Sequence, residues 1–78
     1  MTVNAELANS ARWLAAKVRQ TPALTDARAE SYWRELEHEL KNCRSAGAKE
    51  LAIIEWRERM DERLAAHLLH ARLQEVGK

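Results

Sequence analysis

A chain of 78 residues has room for one small domain, and a domain of that size is marginal unless regular helix packing, a metal, disulfides or a second chain supplements its core. Fourteen alanines, no phenylalanine and a single cysteine leave few large apolar side chains and exclude an internal disulfide framework. Thirteen basic against twelve acidic residues give a formal net charge of +1, which excludes the strongly basic balance that phosphate backbones select.

Two glycines, one proline and an abundance of Ala, Leu, Glu, Arg and Lys predict an all-α fold, a single helical domain over residues 1–78. The lone Cys43 suits a reducing, cytoplasmic setting. The opening MTVNAELANSARW lacks the basic segment and apolar run of a secretory signal, and the longest run of large apolar residues is LAII at 51–54, so neither export nor membrane spanning is expected. Nine Arg against four Lys is associated with GC-rich bacterial genomes, a matter of codon usage and not of physics.

The first helix is predicted over 3–20. Val3, Leu7, Ala11, Leu14 and Val18 recur at helical spacing on one face, and Thr2 can cap the first amides. Pro22 disfavours helical backbone at Thr21 and removes an amide donor, which places the end near Gln20. Thr25 followed by Asp26 then starts a second helix, predicted over 26–45. Its Ala29, Trp33, Leu36, Leu40 and Cys43 form a strict heptad suited to bundle packing, with Cys43 as a small buried apolar group. Its outer face carries Glu30 with Arg34 and Glu37 with Lys41 at i, i+4. Gly47 in SAGAK is expected in the left-handed conformation that separates two helices.

The third helix, predicted over 48–76, is the longest element. At about 1.5 Å per residue it spans roughly 43 Å, against roughly 27 and 30 Å for the other two, so its end overhangs the bundle. Its main stripe is Ile53, Trp56, Met60, Leu64, His67 or Leu68, and Ala71, with Leu68 expected to face inward. A second stripe holds Leu51, Ile54, Ala65, Leu69 and Val76, with Leu73 beside it and Glu58 and Glu62 interrupting it. A three-helix monomer needs only the first stripe. Length and periodicity therefore both mark the C-terminal turns as a surface that one chain leaves unfilled.

His67 and His70, in HLLH, have a spacing that can share a metal ion, and ELEH at 35–38 has the ExxH spacing of carboxylate-bridged di-iron bundles. A second ExxH and further inward glutamates are missing, so no metal and no cofactor is expected. The plainer reading gives His67 a hydrogen bond to another helix and sets His70 beside Arg63 and Gln74. No glycine-rich phosphate loop and no nucleophile paired with an oriented base is present, which argues against an enzyme.

NCRSAGAKELAIIEW superficially resembles a helix-turn-helix, but the start of the following helix offers Lys49, Glu50 and Glu55 for base readout. Net charge is +2 over residues 1–24, −1 over 25–46 and 0 over 47–78, so no segment supplies a phosphate-binding surface and nucleic acid is a disfavoured partner. Trp33 and Trp56 fall at the margins of their stripes as core or near-core residues. Trp13 lies well off the first stripe, open unless another surface or Lys17 covers it.

These patterns predict an antiparallel three-helix bundle, or a helical hairpin with an accessory first helix, that forms a homodimer through the end of the third helix. They favour a non-enzymatic, protein-binding module that regulates, adapts or inhibits a larger protein, the kind of small chain that bacteria and bacteriophages encode. The alternative is a dimeric helical nucleic-acid-binding regulator. The candidate partner or dimer interface comprises Trp13, Leu51, Ile54, His67, Leu69, His70, Leu73 and Val76.

Overall fold

Two threonines set the starts of the first two helices. Thr2, in extended backbone, accepts the Ala5 amide hydrogen bond at 3.2 Å, and Thr25 accepts that of Arg28 at 3.1 Å. Each side chain satisfies one of the amides that a helix start leaves without an internal partner. The computed structural model describes residues 2–76, with side chains through Gln74, and contains α1 (Val3–Gln20), α2 (Asp26–Lys41) and α3 (Ala46–Val76). No strand occurs among the described residues.

Pro22 ends α1 where the backbone rules require. The Thr21 amide turns back to the Val18 carbonyl at 3.3 Å, and the Leu24 amide bonds the Thr21 carbonyl at 2.9 Å. This compact turn buries both Thr21 and Leu24, so the connection itself contributes to the core. Leu24 lies outside any helical periodicity, and the spacing of apolar residues gave no sign of it.

The second junction departs from expectation in four ways. Helix α2 stops at Lys41 instead of 45, because the Asn42 and Cys43 amides tighten onto the Glu39 and Leu40 carbonyls at 3.1 and 3.2 Å. Helix α3 begins at Ala46 instead of 48, because Ser45 caps it by accepting the Ala48 amide at 3.1 Å. Gly47 therefore sits inside the first turn of α3 with ordinary helical backbone and not in the left-handed region. Cys43 falls in the connection, half-buried, with its thiol directed at the Glu39 carbonyl at 3.3 Å; it is not a heptad core residue.

Cross-helix pairs show that α2 and α3 run antiparallel. Glu39 meets Arg59, Glu35 meets Arg63 at 2.7 Å, and the Tyr32 hydroxyl meets His67 Nε2 at 3.1 Å, so the numbers rise on one helix as they fall on the other. Each ion pair is only partly covered and is worth at most about 1 kcal/mol. On the outer face of α2, Glu30 and Arg34 pair at 2.7 Å as expected, whereas Glu37 and Lys41 form no ion pair among the described residues. Every helix touches both others, which makes α1 a full member of a three-helix bundle and not an accessory.

Trp56 is the centre of the core. Its ring is fully buried, with Trp13 edge-on at 6.0 Å and Trp33 edge-on at 5.7 Å between centroids. Edge-to-face contact aligns the positive ring edge with the negative face of its neighbour. The indole N–H, which burial would otherwise leave unpaired, donates to the Tyr32 carbonyl at 3.0 Å. Around it lie Leu14, Leu24, Leu36, Ile53, Met60 and Leu64. Of the adjacent aromatics on α2, Tyr32 is the buried one and Trp33 packs at the margin, the reverse of the weighting the heptad implies.

Helix α3 outruns its partners. Its 31 residues span about 46 Å, against about 27 Å for the 18 of α1 and 24 Å for the 16 of α2, and the longest dimension of the molecule is 50 Å. Beyond Leu64, among the described side chains, only His67 and Ala71 are partly covered. Leu68 is 41% exposed and does not face inward, because the Tyr32 contact gives His67 the next place on the inner stripe.

Candidate protein-interaction surface

The five large apolar side chains exposed among the described residues all lie on α3. Leu51 and Ile54 are 56% and 52% exposed near its start, and Leu68, Leu69 and Leu73 are 41%, 60% and 61% exposed near its end. At about 100° per residue, Leu51, Ile54, Ala65 and Leu69 share an arc centred roughly 150° from the buried row of Ile53, Trp56, Met60 and Leu64. Two stripes on one helix explain the surface: the bundle covers one, and none of the described residues covers the other. The side chain of Val76, which continues the outer stripe, lies outside the described side chains.

Between the two apolar patches the charges are sorted by sign. Arg57 lies over the Trp13 ring at 5.2 Å, Arg59 pairs with Glu39, and Arg63 pairs with Glu35 while stacking over Tyr32 at 5.0 Å. All three arginines of WRERMDER are thus committed to the other helices. Glu58, Asp61 and Glu62 are exposed and enter no ion pair among the described residues. The outer face of α3 is therefore apolar at both ends and acidic in the middle.

The histidines have separate partners. His67 is half-buried and bonded through Nε2 to Tyr32, so the hydroxyl donates when that nitrogen is bare and accepts when it carries the proton. His70 is exposed, with Gln74 Nε2 at 3.1 Å from its own Nε2, one turn on. Both line an open cleft of about 580 Å³ together with Arg28, Tyr32, Glu35 and Arg63, where the start of α2 meets the α3 overhang. Among the described residues no group of three His, Cys, Asp or Glu side chains is gathered that could hold a metal ion. The HLLH and ELEH spacings lie on facing helices, but the Arg63 pair engages Glu35 and His38 is exposed.

Trp13 is half-buried and not an open ring. Trp56 meets it edge-on, and Lys17 and Arg57 lie over it at 5.9 and 5.2 Å. Its partners come largely from its own chain, which sets it apart from the leucines of α3. A second, apolar groove of about 330 Å³ runs between α1 and α2 over Leu14, Val18, Ala29 and Trp33, floored by Ala11 and Ala15. Sequence reading missed it because small alanines leave a groove by what they lack.

The antiparallel seam also bears on the helix-turn-helix resemblance. That motif crosses its helices at about 90–120°, whereas α2 and α3 form a hairpin joined by three successive side-chain pairs. No helix among the described residues is long and apolar enough to cross a membrane. No protein-family model, curated protein or solved structure matches the chain.

Proposed function

We propose that the protein is a non-enzymatic binding module that regulates, adapts or inhibits a larger protein by laying the outer face of α3 against it. One observation carries this reading: a single helix holds all five large apolar side chains that are exposed among the described residues, while its opposite face is buried. Solvated leucines gain free energy when a partner covers them, at roughly 25 cal/mol per Å², and contiguous apolar surface on a small soluble domain marks interaction sites. A second copy meeting the C-terminal turns around Leu69 and Leu73 is part of the same proposal, as a weak association at high concentration that the larger protein displaces. The pairing would be isologous, each Leu69 and Leu73 covering those of the other copy.

The test replaces both leucines with lysine, which keeps helix propensity and suits the negative end of α3. Wild type and Leu69→Lys/Leu73→Lys serve as baits in an extract of the encoding organism. The expected outcome is a protein retained by wild type and lost by the variant, with helicity and melting unchanged. Equal retention by both baits would move the interaction elsewhere on the molecule.

A further inference from the structure

The outer face of α3 also selects the chemistry of its partner, an inference that rests on the reading of that face as a docking surface. Leu51 and Ile54 are separated from Leu69 and Leu73 by about ten to fifteen residues of helix that carry Glu58, Asp61 and Glu62 outward. From Leu51 to Leu73 the face runs about 33 Å. The cations that could neutralise the three acids from within α3 are engaged elsewhere: Arg57 with Trp13, Arg59 with Glu39, Arg63 with Glu35. Among the described residues, Arg72 is the remaining exposed cation on this arc, more than two turns beyond the acids.

A second copy is a poor match for the whole face. Laying two α3 helices antiparallel so that Leu51 and Ile54 meet Leu69 and Leu73 puts the two-fold axis beside Asp61 and Glu62, and this acidic pair then faces the acidic pair of the other copy. Parallel pairing in register does the same. Like charges brought together across a closing interface cost more as water leaves. A copy can cover the C-terminal patch alone, but the full face needs cations opposite its centre.

We infer that the full outer face of α3 docks an amphipathic helix of a partner protein with apolar anchors near both ends and Lys or Arg between them. The leucines anchor that helix and the acids choose it. Covering the face from Leu51 to Leu73 takes a helix of about 22 residues.

Two labelled synthetic helices of about 24 residues test this. They share leucines on one face near each end and differ in the centre, lysine in one and glutamate in the other. Fluorescence anisotropy of each is read against wild type, Leu69→Lys/Leu73→Lys and Glu58→Lys/Asp61→Lys/Glu62→Lys, with circular dichroism showing that each variant is folded. Wild type is expected to bind the lysine-centred peptide at least tenfold more tightly than the other, and the triple variant to reverse that order. Leu69→Lys/Leu73→Lys is expected to weaken both. Equal binding of the two peptides, with loss on Leu69→Lys/Leu73→Lys, would overturn the basic partner and leave the docking surface standing. Binding of the lysine-centred peptide that survives Leu69→Lys/Leu73→Lys and vanishes in the triple variant would overturn the leucine anchors. Failure of both peptides to bind would overturn the inference, and the extract comparison would then decide the docking surface by itself.

Discussion

Residues 53–64 and 68–73 are two stretches of one helix with opposite fates. The first puts Ile53, Trp56, Met60 and Leu64 into the core, and the second leaves Leu68, Leu69 and Leu73 in solvent. Both are rich in large apolar residues and both are helical, so neither composition nor backbone separates them. What differs is phase and reach together: Ile53, Trp56, Met60 and Leu64 face α1 and α2, whereas Leu69 and Leu73 lie on the opposite arc of turns that those shorter helices barely reach. Burial is a property of the facing surface as much as of the residue, and a helix that outlasts its bundle carries unused hydrophobic surface with it.

The sharpest way to break that comparison makes the same change on both sides of it. Leu64→Ala removes a side chain that is 4% exposed and is expected to cost about 2–5 kcal/mol of folding stability, because the surroundings collapse only partly into the cavity. Leu73→Ala, at 61% exposure, is expected to change stability by no more than about 0.5 kcal/mol. Urea denaturation of the two variants reads both values, and similar costs would mean that the overhang is packed.

The boundary between the stretches is the Tyr32–His67 contact. Tyr32→Phe keeps the buried ring and deletes the hydroxyl, leaving His67 Nε2 without that partner. The expected loss is about 1 kcal/mol, the scale of one net hydrogen bond. Unchanged thermal stability would show that water replaces the hydroxyl without cost and that the boundary is set by packing alone.

A smaller effect lies at the other end of α3. A methyl group on Gly47 would meet nothing within 4 Å, and the residue has ordinary helical backbone. Gly47→Ala is expected to stabilise the chain by about 0.5–1 kcal/mol, through helix propensity and reduced freedom of the unfolded chain. Destabilisation measured by the same melts would return Gly47 to the turn that its neighbours in sequence suggest.

Much of this architecture was legible in the sequence. Thr2, Thr25 and Pro22 act through local rules, so both ends of α1 and the start of α2 follow from single residues. The two stripes of α3 follow from periodicity, which also placed Leu51, Ile54, Leu69 and Leu73 outside the bundle face. Other features depend on geometry that spacing cannot resolve. Tyr32 and Trp33 are one position apart on α2, and which ring enters the core depends on a rotation of the helix about its axis too small for residue spacing to resolve. Ser10, fully buried with its hydroxyl unpaired, was hidden because a search for apolar periodicity passes over a small polar residue in favour of Ala11. Ser45 caps α3 and moves its start ahead of Gly47, while α2 closes earlier through the Asn42 and Cys43 amides, so Gly47 separates nothing.

The sorting of charge along α3 was the feature of the candidate surface least visible beforehand. The letters WRERMDER hold three basic and three acidic residues, so by count the segment is neutral. Periodicity already puts Glu58 and Glu62 on the outer stripe; what the bundle adds is that the cations turn away from them, toward Trp13, Glu39 and Glu35. Sequence identifies charge, and the direction in which a helix is buried assigns it to a side.

Amide hydrogen exchange along α3 in the isolated chain tests the central distinction most directly. Amides in residues 53–64 are expected to exchange only through global unfolding, whereas those in residues 69–74 are expected to open locally, at a free energy lower by about 2 kcal/mol or more. Equal protection from 53 through 74 would contradict the account, because it would mean that the terminal leucines are already held under cover.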